Sequence, residues 1–532
     1  VARLYRVVGP PGTGKTTWVA RQCQHAVGVH GPDRVLVASL TRAAAREAAG
    51  RDTGLAKGQV GTLHSHCYHA LGRPRIVDAA LAREWNARGL AGAQWQLTIG
   101  NTELEKGEAL GLGDGQTRGD KLLASVDLRR ARMQPEELWT MEERSFYAEW
   151  CRFKDENDAW DFTDLIDNGC KRLLAAPGAP GAIFVDEAQD LSALELELVE
   201  RWAEHTDTAV LVGDPFQALY HWRGAGEDVM AGELHKVLDQ SYRVPRAVQA
   251  YAMGLIQRTR SWRDDIVYRP RDVEGAVSRT MATWKQPAAL LGLLADLPGR
   301  VMVLASCDYM LQPIRSLLRA HGVPYHNPYT HRWNPLRETT LEKVRSMLRF
   351  AARRWGGPEP DDLAWRPEEL KAWLPLLRSA RSLDDEAGAK LRGAPEPWGE
   401  SETDGRVYAE RYVARPAVRA LLDGDLDWLH RSATKAGWQS LEYPMQVLKS
   451  CGWRGLAQTP RVILGTIHSV KGGEAENVVV FPDLSPNGVR SFRTPGWSGM
   501  ESVWRLFYVA ATRARESLIL GSPSGMGSAV PL

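Results

Sequence analysis

The residues Gly9–Thr17 read GPPGTGKTT, and their types and spacing are those of a phosphate cradle. Gly9, Gly14, Lys15 and Thr16 fit the pattern G-x-x-x-x-G-K-[ST], with Pro10, Gly12 and Thr13 inside the loop and Thr17 just after it. Small residues let successive backbone N–H groups wrap oxyanions, and the helix that opens here adds a favourable dipole. Lys15 brings a positive charge to the β- and γ-phosphates, and the Thr16 hydroxyl suits a Mg²⁺ ion. A second centre is IFVDEAQD at Ile183–Asp190, an apolar run that ends in acids. Asp186 suits the same Mg²⁺, and Glu187 suits the orientation or deprotonation of an attacking water. Either segment alone has a bland reading, a glycine-rich turn or an acidic strand end. Together they specify a nucleotide triphosphatase, because strand ends in an open parallel sheet converge on one ligand crevice.

The elements that must position these residues follow from pattern. Short β-branched runs at Tyr5–Val8, Arg34–Ala38, Ala182–Val185 and Thr208–Val212 alternate with helical patterns at Thr16–Ala26, Arg42–Ala49 and Ala193–Ala203. That alternation predicts α/β architecture with parallel strands. Between His64 and Ala176 the strand signal fades, and Trp85, Trp95, Trp139, Phe146 and Trp150 are spaced among charges. Strand patterns return at Arg300–Ala305, Val462–Thr466, Val478–Phe481 and Ser517–Leu520. The expected plan is two RecA-like P-loop domains with parallel sheets, each carrying a mostly helical insertion. The first comprises 1–64 and 176–262 around an insertion at 65–175. The second comprises 263–352 and 455–532 around a reduced insertion at 353–454.

Composition sets outer limits. A chain of 532 residues is long enough for three to four domain-sized units. The 67 basic and 65 acidic side chains give a net charge of +2, which excludes a globally basic nucleic-acid glue but leaves room for a local basic groove. Arginine outnumbers lysine by 53 to 14, the usage of a GC-rich genome. Six scattered cysteines without a C-x-x-C pair support neither a zinc site nor a disulfide framework. The apolar stretch Pro287–Ser306 is broken by Asp296, Pro298 and Arg300. With no signal-peptide core at the start, a cytoplasmic location is expected.

Further motifs carry a resemblance. In order come VASLTRAAARE (Val37–Glu47), GTLHSHCYHAL (Gly61–Leu71), DFTDL (Asp161–Leu165), DEAQD, VGDPFQALYHWRGA (Val212–Ala225), LDQSYRVP (Leu238–Pro245), GTIHSVKGGEAENVVV (Gly465–Val480) and RLFYVAATRAR (Arg505–Arg515). The series resembles the UvrD/Rep-type superfamily 1 DNA helicases of the 3′→5′ branch, in order and across nearly the whole chain, and fits a compact bacterial or phage member. The resemblance implies that ATP and Mg²⁺ bind between two motor domains. It implies that Gln217 senses the γ-phosphate, that Arg243 and Arg513 contact it from opposite sides, that Tyr242 stacks on the base and that Glu474 meets the ribose. It places Thr41, Thr62, His64, Thr466 and His468 on a DNA strand. Tyr220, Trp222 and Arg223 join them, since an aromatic face grips any unstacked base. Trp222 has a rival fate as core packing, and the threonines and histidines as packed or solvated polar groups.

The sequence departs from the family in five places. Only Val1–Val8 precede the P-loop, so the adenine-reading glutamine motif is missing or trimmed. The usual T-F-T-N is Ser39-Leu40-Thr41-Arg42, with leucine where an aromatic would meet a base. Gly473 stands where the family prefers leucine. The second insertion is short, and the chain ends at Leu532 with little room for a nuclease domain. The expected activity is an ATP-dependent 3′→5′ helicase on single-stranded DNA and on junctions with duplex, with protein partners in repair or replication and RNA as the weaker track. The rivals are a translocase that strips proteins without unwinding, and a nucleotide-switched binding module.

Overall fold

The computed structural model describes residues 4–39, 54–56, 58–98, 117–220, 224–225, 229–260, 262–330, 334–360, 365–380, 382, 413–494, 497–525 and 527–532. These form two compact units, Val1–Val277 with Pro486–Ser517, and Ser278–Ser485 with Leu518–Leu532.

The first unit is built on a six-stranded sheet in the order Val60–Thr62, Val35–Ser39, Ala182–Asp186, Thr208–Gly213, Leu4–Val8 and Lys236–Val237. Every neighbouring pair is parallel. The strands Val35–Ser39 and Ala182–Asp186 are buried along their whole length, which explains why they read as continuous apolar runs rather than as alternation. Register places the chemistry. Val8 lies opposite Gly213, and Ser39 lies opposite Asp186, so the loops after four strands emerge along one edge of the sheet. The predicted helix Arg42–Ala49 lies outside the described residues.

Two features of this unit were expected differently or only in outline. The insertion has its own core, in which Trp85, Trp95, Trp139, Phe146 and Trp150 pack with Phe153, Leu81 and Val126. Trp85 meets Phe146, Trp150 and Phe153 edge-on, so the tryptophans spaced among charges are the buried stripe of amphipathic helices. The segment Pro486–Ser517, which the sequence plan grouped with the second domain, packs with the first unit. Its helix Trp497–Ala511 lies against the helix Arg246–Ile256.

The second unit holds most of another six-stranded sheet, ordered Ala276–Arg279, Ala514–Leu520, Ala475–Val480, Val301–Ala305, Val462–Thr466 and Tyr325–His326. Its central strand, Val301–Ala305, is wholly buried and runs parallel to both neighbours. The helices Arg415–Asp423, Leu426–Ser432 and Lys435–Ala457 share one core with that sheet, through Val418, Leu429 and Met445 beside Val301 and Leu464. All six cysteines are free thiols. Among the described residues, no helix is long and apolar enough to cross a membrane.

Candidate nucleotide site and nucleic-acid interface

The loop Gly9–Gly14 joins the strand Leu4–Val8 to the helix Lys15–His30. It is fixed at its start by Gly9 N–H donating to Gly213 O at 3.0 Å. Inside it, the Thr13 hydroxyl donates to Pro10 O at 2.8 Å. Gly12 and Gly14 have φ of +77° and +79°, which favours glycine. Gly12 has a second reason, since a Cβ there would lie 2.4 Å from the Arg243 Cβ. The strand Gln240–Pro245 therefore packs directly on the cradle, with Tyr242 N–H donating to Gly12 O and the Ser241 hydroxyl to Pro11 O. The Lys15 ammonium donates to Gly9 O at 2.7 Å, so its charge sits over the loop.

Thr16, in the first helical turn, donates its hydroxyl to Asp186 Oδ2 at 3.2 Å. Burial first, and then the neighbouring Glu187, push the Asp186 carboxyl above its usual range, against the pull of Lys15. A hydroxyl and a buried carboxylate are hard oxygen donors, the set a Mg²⁺ ion takes when phosphates and waters complete its shell. Among the described residues there is no cluster of three His, Cys, Asp or Glu that would hold a metal alone. Glu187 adopts φ +57°, a left-handed conformation rare for a side-chain-bearing residue and worth on the order of 1 kcal/mol or more of strain.

Gln217 follows the strand Thr208–Gly213 and is buried. Its amide donates to Asp214 Oδ2 at 2.7 Å and accepts from Arg513 Nη2 at 2.8 Å. Arg513 is 1% exposed, and its Nε donates to Val509 O at 2.9 Å. Burial, together with the nearby Arg243 charge, lowers its pKa to about 10. Both Arg243 and Arg513 belong to the first unit. Arg513 arrives there because the helix Trp497–Ala511 packs in that unit, with Tyr508 edge-on to Phe216 and Phe216 stacked on Trp262. Lys15, Thr16, Asp186, Gln217, Arg243 and Arg513 are thus gathered at one edge of one sheet. Tyr242, on the strand that covers the cradle, is 69% exposed and free to offer its ring face.

The residues expected on DNA fall in both units. Thr62 accepts from Ser65 N–H at 3.1 Å and caps the helix Leu63–Ala70. His64 follows, 3.7 Å from Glu195 Oε1 and edge-on to Phe162. In the second unit Thr466 accepts from Ser469 N–H at 3.2 Å, and His468, partly buried, is kept neutral by burial and by Lys471. Glu474 is partly exposed in the same loop. Gly473 beside it is covered by Tyr329, whose ring would lie 2.5 Å from any Cβ placed there. Tyr220 is partly buried, and its carbonyl accepts from Ala225 N–H. Leu40, Thr41, Trp222 and Arg223 lie outside the described residues.

Residues 3–236 match the UvrD/REP helicase N-terminal domain, and residues 445–524 match the UvrD-like helicase C-terminal domain. The chain belongs to the UvrD/Rep helicase family. It is 22% identical over 284 residues to a probable DNA helicase II homolog of Mycoplasma capricolum, covering 48% of this chain and 39% of that protein. It is also 22% identical over 239 residues to the putative ATP-dependent DNA helicase YjcD of Bacillus subtilis, covering 41% of this chain and 31% of that one. The chain therefore spans about two fifths or less of the length of these curated relatives.

Within this UvrD/Rep-like chain, three features escaped sequence reasoning. Asp214 is buried, its carboxyl raised chiefly by burial, and it joins Gln217 to the strand edge. Tyr268 donates its hydroxyl to Pro11 O at 3.1 Å from a segment with no motif signal. The third feature was legible. Gly61-Thr62-Leu63-His64-Ser65 and Gly465-Thr466-Ile467-His468-Ser469 are one pattern written twice, each at the end of a sheet strand. In each the serine hydroxyl donates to the threonine carbonyl, at 2.8 and 2.9 Å.

Proposed function

We propose that this protein is an ATP-dependent DNA helicase that translocates 3′→5′ along single-stranded DNA. The carrying observation is the hydrogen-bond chain from Arg513 through Gln217 to Asp214, beside Lys15, Thr16 and Asp186. Phosphoryl transfer is largely positioning and charge stabilisation, and this cluster is equipped for both. Lys15 and the loop amides bind the β- and γ-phosphates. Thr16 and Asp186 hold Mg²⁺, which supplies charge neutralisation on the phosphates when bound. Glu187 handles the attacking water, Gln217 reports the γ-phosphate, and Arg243 and Arg513 stabilise its developing charge. Tyr242 stacks on the base, and Glu474 meets the ribose.

On the DNA side, Thr62 and Thr466 sit at matching strand-end turns, one in each unit. His64, His468, Tyr220, Trp222, Arg223 and Thr41 complete the track. The polarity and the DNA substrate come from family likeness, and the names of the relatives support the same activity. The test is a duplex with one single-stranded tail, given ATP and Mg²⁺. Unwinding from a 3′ tail alone is expected. Unwinding from a 5′ tail alone refutes the polarity. Displacement of streptavidin from single strands without unwinding supports the stripping translocase instead.

A further inference from the structure

Gln189, the fourth residue of DEAQD, has no part in the reading above. It is 2% exposed, and both ends of its amide are engaged. Nε2 donates to Glu187 Oε2 at 2.5 Å and lies 3.3 Å from Asp190 Oδ2. Oε1 accepts from Asp214 N–H at 2.9 Å. The orientation of the amide is fixed by chemistry, since a carboxylate needs a donor and a backbone N–H needs an acceptor. Gly213 leaves space for this arrangement, because a Cβ there would lie 2.4 Å from Gln189 Oε1. The amide therefore bridges the acidic turn after one strand and the sensor turn after its neighbour. From Asp214 the chain of bonds continues to Gln217 and Arg513. From the adjacent Asp190 a branch reaches Leu219 N–H at 3.3 Å, near the start of the loop that carries Tyr220.

We propose that Gln189 is a positioning residue, whose amide aims the Glu187 carboxylate and locks it in register with the γ-phosphate sensor. The inference rests on the reading of Glu187 as the group that handles water. Glu187 occupies a left-handed backbone conformation, so its direction depends on the contacts that hold it. A general base contributes about 10²–10⁴-fold, and a displacement of about 1 Å can forfeit 10² of that. Gln189 would set whether the contribution is realised.

The experiment uses the full chain with Gln189→Leu, Gln189→Glu, Glu187→Gln and the Glu187→Gln/Gln189→Leu double variant. Binding is read with a fluorescent non-hydrolysable ATP analogue, turnover by steady-state ATPase, and folding by melting temperature. Gln189→Leu is expected to lower kcat by about 10²-fold while the analogue Kd stays within about threefold. Gln189→Glu keeps an acceptor for Asp214 N–H but loses the donor to Glu187, so it should fall in kcat as well. The double variant should be no slower than Glu187→Gln alone, because the amide has nothing left to aim. Losses that add in the double variant, or a Gln189→Leu loss that tracks weakened binding and a lower melting temperature, show a structural role and overturn the proposal. An inactive Glu187→Gln beside a fully active Gln189→Leu overturns it alone. A Glu187→Gln protein with wild-type turnover overturns the reading of Glu187 itself.

Discussion

Replacing Arg513 with methionine separates chemistry from stability better than any other change at this site. Arg513 is fully buried, and the bonds that the change removes include those to Gln217 Oε1 at 2.8 Å, to Val509 O at 2.9 Å and to Thr512 Oγ1 at 3.3 Å. Each charge-assisted bond is worth about 1.5–3 kcal/mol. Against this stands the cost of burying the charge. Burial first, and then the Arg243 charge, lower its pKa from 12.5 to about 10, so the folded protein disfavours the ionised form relative to water. Methionine fills a similar volume without a charge to bury, so the loss of these bonds is partly offset. Turnover has no such compensation, because an arginine on the γ-phosphate is worth about 10³–10⁵ in rate. Arg513→Met should therefore melt within a few degrees of wild type and bind nucleotide, yet lose ATPase by about 10³-fold or more. Two results refute the reasoning: turnover within tenfold of wild type, or unfolding that removes binding and turnover together.

Lys15→Ala should weaken nucleotide binding and abolish turnover with little change in melting temperature, since among the described residues the ammonium's hydrogen bond is to a loop carbonyl at 2.7 Å; calorimetric titration with ATP checks it. Trp222→Ala should lose DNA-stimulated ATPase while basal turnover persists, by about 1–3 kcal/mol if one base stacks there; a lowered melting temperature with loss of both would assign the ring to the core. A pH prediction concerns Glu476, which Arg300 holds down at about 2 through side-chain and backbone bonds of 2.8–3.1 Å. Its folded pKa is depressed, so the pair stabilises above the unfolded value of about 4.3 and loses that as pH falls through 2. Arg300 is 47% exposed, and after screening the gain is on the order of 1 kcal/mol. Glu476→Gln should melt earlier than wild type at pH 7, with the gap closing toward pH 2; a gap of constant size would remove the ion pair from the account.

Much of the sheet architecture was legible because its strands are buried on both faces and end in residues of unusual type. Ala182–Asp186 and Val301–Ala305 read as strands from apolar β-branched runs alone, and the glycines of Gly9–Gly14 mark a backbone that no other residue type fits. The grouping of Pro486–Ser517 with the first unit was not legible, since its helix looks the same whichever sheet it serves. Tertiary packing decides that, and packing leaves no periodic trace. The hydrogen-bond bridge at Gln189 was hidden for a similar reason. Its letter and that of Glu187 lie inside one recognised motif, but Asp214 meets Gln189 only because two strands are neighbours in the sheet. The core of tryptophans in the first insertion was visible as residues but not as a cluster, because charges between them mask the helical stripe.

Nucleotide hydrolysis is proposed to serve movement on a single DNA strand. Its most direct test is the steady-state ATPase rate of the full chain without nucleic acid, with single-stranded DNA, with blunt duplex and with single-stranded RNA. Strong stimulation by single-stranded DNA is expected, with little by blunt duplex and less by RNA than by DNA. A rate that is the same in all four conditions would contradict it, and would leave a nucleotide-switched binding module in its place.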